Sequence, residues 1–139
     1  MSRAGPILFV VLLVCSVVVA ATVLHARSPD LALQVTRFTK EIHPSGEGKD
    51  RVVHIRFFVR ESDPDARVEI VGPNLNLIRV LASRPLVADR PVSFTWNGRT
   101  GAGALADPKD RYRLRVLLPN RDRDMVYPRR ISVRATGSQ

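Results

Sequence analysis

A chain of 139 residues with 22 Lys and Arg against 13 Asp and Glu, net +9, has room for one compact domain beside an apolar N-terminal run and none for a second core. Arginine supplies the charge, since lysine stands only at Lys40, Lys49 and Lys109, and the balance favours anionic partners without naming one. The single cysteine, Cys15, excludes an intramolecular disulfide and a cysteine-ligated zinc site; lying within the apolar run, it reads as a small apolar filler.

Residues 1–5 form a short tail whose only charges are Arg3 and the α-amino group. PILFVVLLVCSVVVAATVL, Pro6 to Leu24, then runs without a charge and as a helix would reach about 28 Å, close to the hydrocarbon thickness of a bilayer. Pro6 suits a first helical turn, where its missing N–H costs nothing. The expectation is a single-pass transmembrane signal anchor over 6–25 in the cell membrane, with the C-terminal domain outside the cytoplasm. The rival is a signal peptide cut near Ala20, where Val18, Val19 and Ala20 present small residues, which would release a secreted protein. Charge counting does not decide orientation, because Arg27, Arg37 and Lys40 outnumber the positive charges of the tail. The outward placement follows from the tolerance of translocation for long following domains. Residues 26–30 make a linker short enough to hold the domain near the membrane surface.

From Leu31 onward the apolar period is two, which predicts an all-β domain over 31–136 and a C-terminal tail over 137–139. Strands are expected at 31–38, 51–59, 66–72, 77–83, 92–97, 111–118 and 126–135, separated by PSGEGKD, ESDPD, PNLN, SRPLVADRP, NGRTGAGALADPKD and PNRDRD. Seven short strands with a turn signal every dozen residues or so are the pattern of an immunoglobulin-like β-sandwich, here without the Cys-Trp-Cys framework of antibody domains. In ESDPD the carboxylates could gather a hard cation, but Asp63-Pro64-Asp65 reads more simply as a turn whose Asp bonds local backbone. Glu47 and Asp50 offer the same chemistry, opposed by the intervening Lys49.

Val92, Phe94 and Trp96 share one side of their strand, which places Trp96 in the core. In the next strand Tyr112, Leu114 and Val116 alternate with Arg111, Arg113 and Arg115. If the last two strands pair, these three arginines lie beside Arg130 and Arg134 as a candidate anion-contact face, with Glu69 offsetting part of the like-charge repulsion. From Lys109 to Arg134 nine basic residues stand against three acidic ones. Arginines repeating at about 7 Å along a strand suit a row of phosphates or carboxylates on lipid headgroups or an anionic envelope polymer; the plainer reading is a solvated face. Phe58 shares parity with His54, Arg56 and Arg60, so it falls on a polar face as a candidate packing contact.

Signatures of catalysis are missing. There is no G-x-S-x-G elbow, and His25, His43 and His54 have no nucleophile at a meaningful spacing. No HExxH, EF-hand, P-loop or dinucleotide fingerprint occurs. The expectation is a protein that is not an enzyme, with no catalytic residue, cofactor, metal or small-molecule substrate. Nucleic acid is not the expected partner either, since aromatic residues are sparse beside the arginines and no nucleic-acid-binding motif is present.

FTWNGRTGAGALADPKDRYRLRV resembles the "WDG(R/K)…G…Y…V" signature of the FlgD-type immunoglobulin-like domain, named from the flagellar hook-capping protein and found as an accessory module in secreted bacterial proteins. HPSGEGKDRVVHIRF looks like the "SPNGDGxND…I.Y" opening of such modules, and ARVEIVGPNLNLIRVL resembles their strand, polar turn and strand ending in "VR.L". The resemblance covers residues 42–133 loosely and 94–116 closely. It implies structural roles for Trp96 in the core, for Asn97 and Gly98 in the turn, and for Tyr112 at the start of the next strand. Asn97 stands where the family has Asp, and Lys109-Asp110 where it has glycine. The function this implies is a non-catalytic structural or protein-interaction module of a bacterial cell envelope, its partner an unknown envelope protein or anionic polymer.

Overall fold

Alternation builds the domain strand by strand. In β3 (Val53–Val59), Val53, Ile55, Phe57 and Val59 are buried while Arg56 is exposed, because successive side chains of a pleated strand point to opposite faces. The computed structural model describes residues 32–44 and 49–135; the anchor expected over 6–25, the linker and the C-terminal tail lie outside the described residues. Among the described residues no helix is long and apolar enough to cross a membrane.

The remaining strands are β1 (Leu33–Phe38), β2 (Glu41–Ile42), β4 (Arg67–Val71), β5 (Leu77–Ser83), β6 (Val92–Trp96), β7 (Arg111–Leu118), β8 (Arg123–Val126) and β9 (Ile131–Val133). They form two sheets. The first runs β1-β3-β6; the second runs β2-β9-β7-β4-β5, with β8 also paired to β7. Pairing is antiparallel except between β2 and β9, where Glu41 and Ile42 run parallel to Ser132 and Val133. Buried residues from both sheets form one core, including Phe57 and Trp96 of the first sheet and Ile70, Tyr112 and Leu114 of the second. The domain is all-β in two sheets.

Two expectations about the strands need correction. The strand expected over 126–135 is two strands: Tyr127 N–H donates to the Leu114 carbonyl at 2.8 Å, Pro128 then has no N–H to offer, and pairing resumes only at Ile131. PNRDRD is likewise not all turn. A 3-10 turn over Pro119–Arg121 and a left-handed Asp122 (φ 52°) reverse the chain so tightly that Arg123 and Asp124 already belong to β8. The two-residue β2 was not expected at all, because two residues carry no period.

Candidate functional site

The loop after Trp96 is built from the residues the sequence singles out. Trp96 and Tyr112 are each about 1% exposed and meet edge to face across the core, ring centres 5.3 Å apart. Each polar tip reaches backbone: Trp96 Nε1 donates to the Arg99 carbonyl at 2.8 Å and Tyr112 Oη to the Asp107 carbonyl at 2.7 Å. Burial, with Asp110 and Asp107 nearby, pushes the Tyr112 phenol up to about 12, so it remains a donor throughout the physiological range. Asn97 Oδ1 accepts from the Arg99 N–H at 3.2 Å, a task its amide oxygen performs as an aspartate would. Gly98 holds φ 74°, and a Cβ there would stand 2.9 Å from both Ile42 Cδ1 and Pro44 Cγ. The Gly101 N–H then ties the loop to β5 through the Ile78 carbonyl at 2.9 Å.

The arginine face is less open than its sequence suggests. Arg111, Arg113 and Arg115 alternate with the buried Tyr112, Leu114 and Val116. Arg115 stands opposite Glu69 of β4 and forks onto Asp124 of β8 at 2.8 and 2.6 Å. The bond to Arg115 holds the Asp124 carboxyl below the usual carboxylate range. Glu69, buried, also takes Arg67 at 3.2 Å. Arg134 lies next to β2, where it meets Glu41 at 3.2 Å, and that bond outweighs burial in lowering the Glu41 pKa. Arg111 donates within its own loop to the carbonyls of Pro108 and Asp110, at 3.5 and 3.1 Å, and its cross-strand partner on β9 is Ser132. Arg130 precedes β9 and is exposed. Arg111, Arg113 and Arg115 therefore share a sheet face, while Arg130 and Arg134 lie just outside the two ends of β9, and Arg115 and Arg134 are already neutralised.

Arg113 differs again. It stands opposite Val71, which is fully buried on this outer side of the sheet, and its Nε is buried without a hydrogen-bond partner. A buried unpaired donor costs stability, and an arginine stem can cover apolar surface on its own. Arg113→Met keeps a stem and removes the donor, so urea unfolding is expected to show stability unchanged or raised by up to about 1 kcal/mol. A loss of stability instead would mean that the guanidinium group is an anchor.

Sequence reasoning missed the part played by Asp63. The residue is 1% exposed; its Oδ1 accepts from the Asp65 N–H at 2.8 Å, as a local turn predicts, but its two oxygens also take the side chain and the N–H of Asn120, each at 2.8 Å. It thereby joins two loops at one end of the sandwich. Burial works to raise its pKa, yet the hydrogen bonds from Asn120, Asp65 and Arg121 together hold it below the usual carboxylate range. Among the described residues no group of three or more His, Cys, Asp or Glu could hold a metal ion. His43 is exposed and meets Glu41 at 3.3 Å, and His54 is half-buried in β3. Phe58 is half-buried on the outer face, its ring 5.0 Å from the Arg60 guanidinium.

The β4–β5 hairpin carries three of the exposed large apolar residues among those described. Leu75, Leu77 and Val80 are 43%, 52% and 39% exposed, and Leu77 and Val80 border an open depression of about 490 Å³ shared with Ile78, Thr100 and Ala102. Leu75 sits in the left-handed region at φ 59°, its N–H donating to the Gly72 carbonyl at 3.1 Å. No family model matches the chain, and no curated protein matches it.

Proposed function

We propose that this chain is a membrane-anchored, extracytoplasmic immunoglobulin-like module that works by contact, as a structural or protein-interaction component of a bacterial envelope. Several features support the immunoglobulin-like reading. The core brings together a three-stranded sheet and a larger sheet extended by β5, and Tyr112 begins a strand with its hydroxyl bonded to backbone five residues upstream, as in a tyrosine corner. The resemblance of residues 94–116 to FlgD-type modules points the same way.

The observation that carries the contact role is Leu75. A leucine held at positive φ costs roughly 1 to 2 kcal/mol that glycine would avoid, and its side chain, 43% exposed, is only partly buried. Asn74 and Asn76 flank it, so residues better suited to that conformation stand one position away on either side. An exposed leucine kept there at a cost, in the turn that leads to Leu77 and Val80 on β5, fits a surface that a partner protein covers.

The test has two readouts. Leu75→Asn is expected to leave the domain as stable or stabilise it by about 1 kcal/mol, while a photo-crosslinker at Leu77 in intact cells loses the protein adduct it forms in the parent. A crosslinker at Ser93, on the other sheet, serves as the control. Equal adducts from both positions, or none from Leu77, would remove the contact role from this hairpin.

A further inference from the structure

The outer side of the first sheet carries charge that the domain does not neutralise. β1 pairs antiparallel with β3, and the register slips between Val35 and Arg37, so Arg37 stands directly opposite Arg56. The irregularity is a bulge at Thr36. One extra residue on β1 leaves both Thr36 and Arg37 exposed, while Val35 and Phe38 on either side pack against the core. The Thr36 hydroxyl donates to the Arg56 carbonyl at 3.2 Å and holds the bulge to β3.

Like charges directly opposite each other weaken a sheet, and their Cβ atoms come within roughly 5 Å. Several other arginines of the domain have a carboxylate: Arg60 has Asp89, Arg115 has Asp124, Arg123 has Glu61 and Arg134 has Glu41. Neither guanidinium of the Arg37 and Arg56 pair has an ion pair or hydrogen bond among the described residues. Both instead line an open depression of about 500 Å³, together with Thr36, Phe58 and Pro91 and with no carboxylate.

We propose that this depression binds a small organic phosphomonoester. Two uncompensated positive charges call for two negative charges at one place. A phosphomonoester carries about −1.5 to −2 at neutral pH, whereas a carboxylate or a phosphodiester carries one. Two planar forks carried by cross-strand neighbours match the several oxygens of a phosphate better than a single acceptor. Phe58 and Pro91 make part of the wall apolar, so the group is held with an organic body attached, a compact ring or similar surface. The assignment does not depend on the β4–β5 hairpin, which lies on the other sheet.

The test is an NMR titration of the full-length chain in non-ionic detergent with phenyl phosphate, observing the arginine Nε–H resonances. The expected result is a saturable, salt-sensitive shift of Arg37 and Arg56. Inorganic phosphate, which lacks the ring, and benzoate, which keeps the ring with a single charge, should each bind several-fold more weakly. The exposed double variant Arg37→Ser/Arg56→Ser should melt at or slightly above the parent's temperature, since the like-charge pair is gone, and lose affinity roughly tenfold or more. A parallel triple variant at Arg111, Arg113 and Arg130 should bind as the parent does. Shifts confined to those three arginines, benzoate binding as tightly as phenyl phosphate, or an unaltered affinity in the double variant would each overturn the assignment. So would binding to vesicles of phosphatidic acid without any response to phenyl phosphate, since the surface would then recognise a membrane.

Discussion

Trp96→Ala is expected to cost about 3 to 5 kcal/mol, which is a large part of what a domain of this size holds in reserve. Trp96 is 1% exposed and lies at the end of β6, stacked edge to face on Tyr112 of the opposite sheet. Truncation would leave a cavity between the sheets and also free the Arg99 carbonyl from its only side-chain donor in the loop. Arg99 pairs with Leu105, and the loop reaches β5 through Gly101, so the damage should spread from the core into residues 97–106. Urea unfolding of a fragment spanning 28–139 would measure the loss. Trp96→Phe separates the two contributions, since it restores most of the volume without the N–H. Its intermediate stability, with faster amide exchange in the loop than the parent shows, is the expected outcome. A Trp96→Ala fragment that unfolds like the parent would place this residue outside the core.

Asp63→Asn is expected to produce the second large loss, and one that depends on pH. Asp63 is ionised in the folded state with a pKa held below its ordinary 3.8 by hydrogen bonds that outweigh the opposing effect of burial. A carboxylate with a depressed folded pKa contributes stability that is fully present above the unfolded value and is lost as pH falls through the folded one. Stability should therefore be level from neutral pH down to about 5 and fall progressively below it, with Asp124 and Glu41, whose pKa values are also lowered, contributing in the same direction. Asparagine at position 63 keeps one acceptor and turns an amide donor toward a site where Asn120 presents both an N–H and a side-chain amide. The variant should be much less stable at pH 7, and its unfolding midpoint should change less than the parent's between pH 5 and pH 3. A parallel pH profile for the two proteins would show that Asp63 does not carry the acid sensitivity.

Features that depend on near neighbours could be read from the order of residues alone. The period of two reports the pleat of a single strand, so β3 and β7, with their strict alternation, could be read together with the residues each buries. Trp96, Asn97, Gly98 and Tyr112 were legible for the same reason: the bonds of the loop close within a few residues, from Trp96 to Arg99 and from Tyr112 to Asp107. Asp63 was half legible. Its bond to Asp65 is local and was expected, while its bonds to Asn120 cross 57 residues.

Which charges meet depends on how the strands come together in the folded domain. Arg134 and Glu41 are 93 residues apart, and Arg123 and Glu61 are 62 apart, so an arginine that reads as free in the sequence can be neutralised by a strand from the other end of the domain. The same holds for the pairing of β2 with β9 and for the bulge at Thr36, which set Arg37 against Arg56. Side-chain parity says which way a residue points, whereas register says what it faces. Register is set by the closure of the whole sheet, through bulges and turns whose partners lie far along the chain. That is why one arginine of the conspicuous β7 run, Arg115, is taken up by Asp124, and why two unremarkable arginines on the other sheet were left without a counter-charge.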